Sequence, residues 1–328
     1  MTTVRVFSSK LELNFKELYE SRDDQLNLNA NEFFFDLSDE NILNDIERSA
    51  LDEDISETEV AQALKTSNNG SSPGLDGLPC EVYKFFWNDI KHIFLDCINF
   101  SFFSGSLPLS QRKGMITLVH KGKGLEKEKI NNWRPITLTN ADYKIVAKVL
   151  ARRLNTVIDK LIHKDQHAFI KGRLIADMLR EIDDIVEDGK SKNSGCIVLS
   201  LDYAKAFDTL STSAIKKALN AYGFGDVFVK WIAILLKDRL SCVTNSGFLS
   251  SFFDMGRGVR QGCPISPLLF ILTVELLGKS IRKDKNIRGI SIPEFHSCLK
   301  IKQYADDTTL FLRDFIDFRE VLSKIKLF

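Results

Sequence analysis

Residues 299–312 read LKIKQYADDTTLFL, and no other stretch limits the possible folds as strongly. Leu299, Ile301 and Gln303 alternate with Lys300 and Lys302, and Leu310 and Leu312 repeat the spacing further on. Period-two alternation on both arms predicts two short strands joined by a tight turn, hence a hairpin. The turn carries two adjacent carboxylates, Asp306 and Asp307. Such a pair is ordinarily a solvated loop. Here apolar residues lead in and out, so the pair sits at the tip of a largely buried ribbon. Like charges repel there and favour a cation.

A third carboxylate decides whether that cation site is plausible. Residues 196–201, CIVLSL, predict a buried strand that runs straight into Asp202. A carboxylate at a strand end points off the sheet into a crevice. With this strand beside the hairpin, Asp202 and Asp306 converge and Asp307 lies close by. Hard oxygen ligands of this kind suit magnesium. Two ions about 3.5–4 Å apart would clamp the attacking and leaving oxygens of an in-line phosphoryl displacement. Asp208 is the rival ligand, but it falls where the chain turns into the next helix and reads as a structural cap.

Bulk properties narrow the class. The 328 residues suffice for one large domain or two lobes, with the composition of a soluble globular protein. The net charge of +1 hides an asymmetry: residues 1–70 hold 16 acidic and 6 basic side chains, residues 112–173 hold 15 basic and 5 acidic. The basic segment could face a polyanion. Six cysteines without a CxxC pair argue against a zinc site and fit reduced thiols of an intracellular protein. His163 and His167 stand one helical turn apart without a further ligand nearby, so no metal role is expected of them. No apolar run approaches the ~20 residues of a membrane span, so no membrane partner is expected.

The rest of the chain reads as helices around these strands. Weak helical patches lie over residues 11–19 and 42–51, and Ser56 with Glu59 marks a capped helix start. Residues 67–79 are glycine- and proline-rich, a linker or a shaped loop. A single long helix is expected over 80–103, strands over 115–119 and 133–138 flanking a basic loop, and Pro135 places the second at an edge or turn. Helices follow over 142–161, 174–186, 211–222, 227–237 and 267–280, with the glycine-bracketed loop 258–264 feeding the last.

Three segments, LSLDYAKAFD, RQGCPISPLLF and QYADDTTLF, resemble in order the palm motifs of reverse transcriptases. SSPGLDGLPCEVYKFFW, NNWRPITLTNADYKIVAKVLARRL and DQHAFIKGR narrow the resemblance to non-LTR (LINE-type) retrotransposon polymerases, over roughly residues 60–315. The resemblance implies an α+β right-hand polymerase fold with helical fingers and an antiparallel-sheet palm, the thumb lying outside the chain. Residues 1–60 would be an acidic N-terminal segment, 61–195 fingers and part of the palm, and 196–328 the palm with the catalytic motifs. The implied activity is RNA-directed DNA polymerisation: nucleotidyl transfer from a dNTP to a DNA primer 3′-hydroxyl on an RNA template, with two Mg2+ ions, or Mn2+ in their place.

By the same resemblance, Asp202 and Asp306 bind metal together with the backbone carbonyl of Tyr203, and Asp307 supports them. Phe207 is the aromatic under the sugar that rejects a 2′-hydroxyl, and Gln261 and Gly262 lie against nucleotide and template. Arg134 grips the triphosphate, with Lys121 or Lys123 as companion. Arg152, Arg153, Lys171 and Arg173 track template or primer backbone, which would account for the basic segment.

Departures from the family pattern bear on activity. Ala204 stands where an acidic residue is usual, and His120 replaces a common proline. Only 21 residues follow Asp307, so a lysine general acid and the thumb are expected outside this chain, as is an endonuclease. Weak processive synthesis is therefore expected, and the alternative is an inactive fragment that only binds nucleic acid or a partner. Localisation is nuclear by family analogy alone.

Overall fold

A computed structural model describes residues 2–21, 41–191, 196–245, 247–291 and 298–328. It is a mixed α/β structure whose strands are β1 (Lys113–His120), β2 (Trp133–Thr139), β3 (Ile197–Leu201), β4 (Leu240–Asn245), β5 (Phe248–Leu249), β6 (Phe253–Asp254), β7 (Ile290–Ser291), β8 (Cys298–Leu299), β9 (Ile301–Tyr304) and β10 (Asp307–Leu312). In the first sheet β1 pairs antiparallel with β2 on one side and parallel with β4 on the other. That leaves β2 at an edge, where Pro135, opposite Leu118, costs no ladder bond. In the second sheet β10 is central, antiparallel to both β3 and β9.

Thr308, Leu310, Phe311 and Leu312 of β10 are all buried, so both faces of this central strand are covered toward its end. Behind this sheet Ile301, Leu310 and Leu312 pack on Leu277 and Ile281 of the helix Ser266–Lys283. That helix is apolar nearly all round, and so it runs through the interior. Helix Ala141–Asn155 shares the largest core, with Tyr143, Val146, Leu150 and Leu154 inward. Among the described residues no helix is long and apolar enough to cross a membrane.

Three expectations change. The single helix over 80–103 is two, Cys80–Phe85 and Trp87–Ser104, broken at Phe86. The first is tied to the glycine-rich loop, because Lys84 Nζ donates to Ser67 O and Asn69 Oδ1 and Glu81 accepts from Gly70 N–H. The second follows the core through Phe94 and Ile98. The helix expected over 142–161 ends at Asn155 and resumes only as Ile158–Leu161. The patch over 11–19 belongs to a longer helix, Thr2–Tyr19, whose Leu11, Phe15 and Tyr19 pack on Ile116, Val243 and Phe253 of the first sheet.

The loop at 67–79 is shaped rather than a free linker. Lys144 Nζ donates to Ser72 O and Lys148 Nζ to Ser67 Oγ. A Cβ on Gly74 would fall 2.2 Å from Asn140 Oδ1, so only glycine fits there. Between this loop and Gly262 lies a cavity of about 580 Å3, lined also by Pro73, Ile136 and Thr137.

Candidate functional site

The β9–β10 turn is two residues long, 305–306, and Ala305 takes φ +56°. A non-glycine residue in this left-handed region costs roughly 1 kcal/mol and needs support from its surroundings. Only Asp306 occupies the turn; Asp307 already opens β10, opposite Tyr304. The last paired residues of β3 and β10 are Leu201 and Thr308, so Asp202 emerges level with Asp307. Asp202 and Asp307 are exposed and Asp306 is half-buried.

Negative charge is only partly compensated at this corner. Partial burial, then the carboxylates of Asp307 and Asp202, push the Asp306 carboxyl above its ordinary range, and the Arg134 guanidinium pulls it back. Arg134 is exposed on β2, opposite Val119. It thus acts on Asp306 from the other sheet. Lys121 and Lys123 are exposed in the β1–β2 loop, where the Lys121 N–H bonds Asn132 O at 2.9 Å. His120 closes β1 with its ring edge-on to Trp133 at 4.9 Å.

The donor set suits a hard cation: carboxylates whose mutual repulsion a divalent ion would relieve. Among the described residues no three His, Cys, Asp or Glu side chains close round a common point. An ion here would therefore draw on two carboxylates and the Tyr203 carbonyl, and complete its shell with water or phosphate. Magnesium is ordinarily bound in that way.

Phe207 is held on two sides. It stacks on Phe270 at 4.8 Å and meets Phe169 edge-on at 6.4 Å, while its carbonyl accepts from Val259 N–H at 2.7 Å. The Gln261 carbonyl accepts from Thr137 N–H at 2.8 Å, so the 258–264 loop abuts β2. Gly262 has φ +103°, and a Cβ there would lie 3.2 Å from Thr137 O. The positive φ favours glycine, and the tight approach adds to that.

Asp208 is structural, though not a cap. It is buried, accepts from Tyr19 Oη at 2.8 Å, and receives Gln261 Nε2 on both carboxylate oxygens. Burial pushes its carboxyl up to about 6, with the Tyr19 and Gln261 bonds opposing. Tyr19, Asp208 and Gln261 thus link the first helix to the 258–264 loop.

Two of the residues expected to follow a nucleic-acid backbone are otherwise engaged. Arg153 is 7% exposed, pairs with Glu59 through Nε at 2.7 Å, and donates to the carbonyls of Leu51, Glu53 and Asp54. Its guanidinium is saturated inside the protein, which corrects that assignment. Arg173 likewise donates to the carbonyls of His163, Gln166 and Ile162 and to Asp159, staking down residues 159–173. Arg152 is half-exposed and Lys171 exposed.

Sequence reasoning missed the group behind the hairpin. Lys302 on β9 reaches Asp165 at 3.2 Å and also Glu181, Arg282 reaches Asp165 at 3.5 Å and also Glu275, and His163 Nδ1 lies 2.9 Å from Asp165. Burial alone would raise Asp165, but His163, Lys302 and Arg282 outweigh it and hold the carboxyl below its usual range. Two lysines alternating with Ile301 and Gln303 gave no sign that one of them, Lys302, is buried. Gln166 was also missed; its carboxamide contacts Ala305.

The family model for reverse transcriptase (RNA-dependent DNA polymerase) matches residues 121–328, more than half of the chain. The transposon TX1 uncharacterized 149 kDa protein of Xenopus laevis is 35% identical over 84% of this chain and 21% of its own length. The Pol polyprotein of retrotransposable element R2 from Popillia japonica is 28% identical over 73% of this chain and 32% of its own. That of R2DM from Drosophila melanogaster is 27% identical over 77% and 23%. The chain therefore spans about a fifth to a third of the length of these relatives. Divalent-metal dependence is general among such domains. By the family match and these relatives, the chain belongs to the reverse transcriptase family, with the Pol proteins of non-LTR retrotransposons.

Proposed function

We propose that the chain catalyses RNA-directed DNA synthesis at the Asp202–Asp306 corner. The observation that carries this reading is the β3–β10 register, which sets Asp202 level with Asp307 beside the turn, with Asp202, Asp307 and Arg134 all acting on the Asp306 carboxylate. Residues 61–195 serve as fingers and part of the palm, and residues 196–328 as palm, with β3, β9 and β10 as its catalytic sheet.

Asp202, Asp306 and the Tyr203 carbonyl would hold two Mg2+ ions, or Mn2+, with Asp307 supporting Asp306. Bound there, the ions supply a lower pKa for the primer 3′-hydroxyl and neutralise triphosphate charge. Arg134 grips the incoming dNTP with its fork of donors, and Lys121 adds a point charge. The Phe207 ring, fixed on Phe270, fills the space a 2′-hydroxyl would need. Gln261 and Gly262 lie against nucleotide and template. Arg152 and Lys171 contact the backbone of the RNA template or DNA primer.

The test is single-nucleotide incorporation on a DNA-primed RNA template with Mg2+ and dNTPs. Incorporation by the parent that disappears in Asp306→Asn supports the reading. A parent that binds the primed template but adds no nucleotide, with either metal, would make this a nucleic-acid-binding domain instead.

A further inference from the structure

We infer that Gln166 is a positioning residue for the carboxylate turn, setting where Asp306 stands; the inference rests on the metal-binding reading above. Gln166 is 1% exposed. Its Oε1 accepts from the Ala305 N–H at 2.9 Å, and its Nε2 donates to the Ala305 carbonyl at 3.3 Å. One carboxamide thus holds both polar backbone groups of the residue before Asp306. That residue has the left-handed φ of +56°, which L-residues leave when released.

The side chain suits this task in length and in kind. A carboxamide offers a donor and an acceptor in one plane, whereas a carboxylate lacks the donor. The same Oε1 also accepts from Ala168 N–H at 3.0 Å, which holds the carboxamide in place. The backbone around Gln166 is anchored in turn. His167 N–H donates to Gln303 O at 3.0 Å and Gln303 N–H to Asp165 O at 2.8 Å, a parallel bridge along the free edge of β9. The Asp165 side chain is fixed among Lys302, Arg282 and His163. Three residues beyond Gln166, Phe169 sets its ring against Phe207. One short segment therefore braces both the carboxylate turn and the aromatic beneath the proposed sugar position.

A glutamine that merely satisfies buried groups would affect stability without affecting the cation. A positioning role makes cation affinity depend on it, as residues that orient metal ligands commonly shift affinity about 10–100-fold. Gln166→Ala is expected to weaken Mn2+ binding, read by electron paramagnetic resonance of the free ion, by about tenfold. The Mg2+ midpoint for incorporation rises by the same factor, while the dNTP KM at saturating metal stays at the parent value. Gln166→Glu keeps the acceptor and loses the donor, so it shows a smaller shift in the same direction; it also serves if the alanine variant does not fold. Ile215→Ala, a core change away from the turn, lowers the melting temperature without moving Mn2+ affinity.

Amide hydrogen exchange at Ala305 separates this inference from the reading beneath it. If the parent binds no Mn2+, the metal site is wrong, and faster Ala305 exchange in the Gln166 variants still supports the brace. Folded Gln166 variants with parent-like Mn2+ affinity and parent-like Ala305 exchange would overturn it.

Discussion

The two ends of the β9–β10 hairpin hold charge in opposite ways. At the turn, partial burial and the charges of Asp307 and Asp202 act on Asp306 with Arg134 opposing them, and its carboxyl rises above its ordinary range. Alongside β9, Asp165 is more deeply buried, yet Lys302, Arg282 and His163 surround it and its carboxyl falls. Burial by itself would rank the two the other way round. The difference is how much positive charge the protein supplies against the negative. A balanced cluster is scaffold, and one with an excess of carboxylates is poised for a cation.

Asp306→Asn tests the open end and carries the largest expected effect. Incorporation should drop by about 10^3-fold or more, roughly 4 kcal/mol of transition-state stabilisation, with an unchanged melting temperature. An unaltered rate would remove the turn from the chemistry. Lys302→Met tests the compensated end. Removing one partner of a buried cluster should lower the unfolding free energy by about 3 kcal/mol in urea titrations, and a neutral result would show that the cluster is not holding the hairpin.

Arg152 and Arg153 extend the contrast to adjacent residues. Arg153→Met should destabilise by about 2 kcal/mol through the orphaned Glu59 and carbonyls, leaving the salt dependence of nucleic-acid binding as in the parent. Arg152→Gln should do the reverse, reducing the slope of log affinity against log salt by about 1. Equal slopes in parent and Arg152→Gln would take Arg152 out of the interface.

The smallest effect concerns Asp208. Its carboxyl sits at about 6 in the folded protein, against about 3.9 in an unfolded chain. The folded state therefore binds the proton more tightly, so this stabilising contribution is complete below about pH 4 and is lost as pH rises through about 6. Asp208→Asn should flatten the change in melting temperature over that window. A parallel pH profile in the variant would mean that Asp208 titrates normally.

Local pattern made much of this legible. Period-two alternation located the hairpin, CIVLSL announced the strand beside it, and β3 does pair with β10. The Ser56–Glu59 capping box and the edge position of Pro135 also follow from local chemistry. The helix break at Phe86 did not; the turn before it is tied to the preceding loop through Lys84 and Glu81, a contact outside the local periodicity. Arg153 looked like any surface arginine of a basic helix. Its burial depends on Glu59, 94 residues earlier.

What the sequence determined alone was the list of chemical parts: three carboxylates at strand ends, an aromatic five residues after the first, and a basic stretch. These are properties of short segments, where residue type and spacing suffice. The tertiary structure decided which charges are compensated and what supports the turn. Asp165 and Asp306 are both aspartates in short connecting segments, and only long-range packing surrounds one with His163, Lys302 and Arg282 while the other feels two carboxylates and Arg134. Gln166 reaches Ala305 across 139 residues of chain, a contact that no local pattern encodes because its energy exists only once the two segments meet.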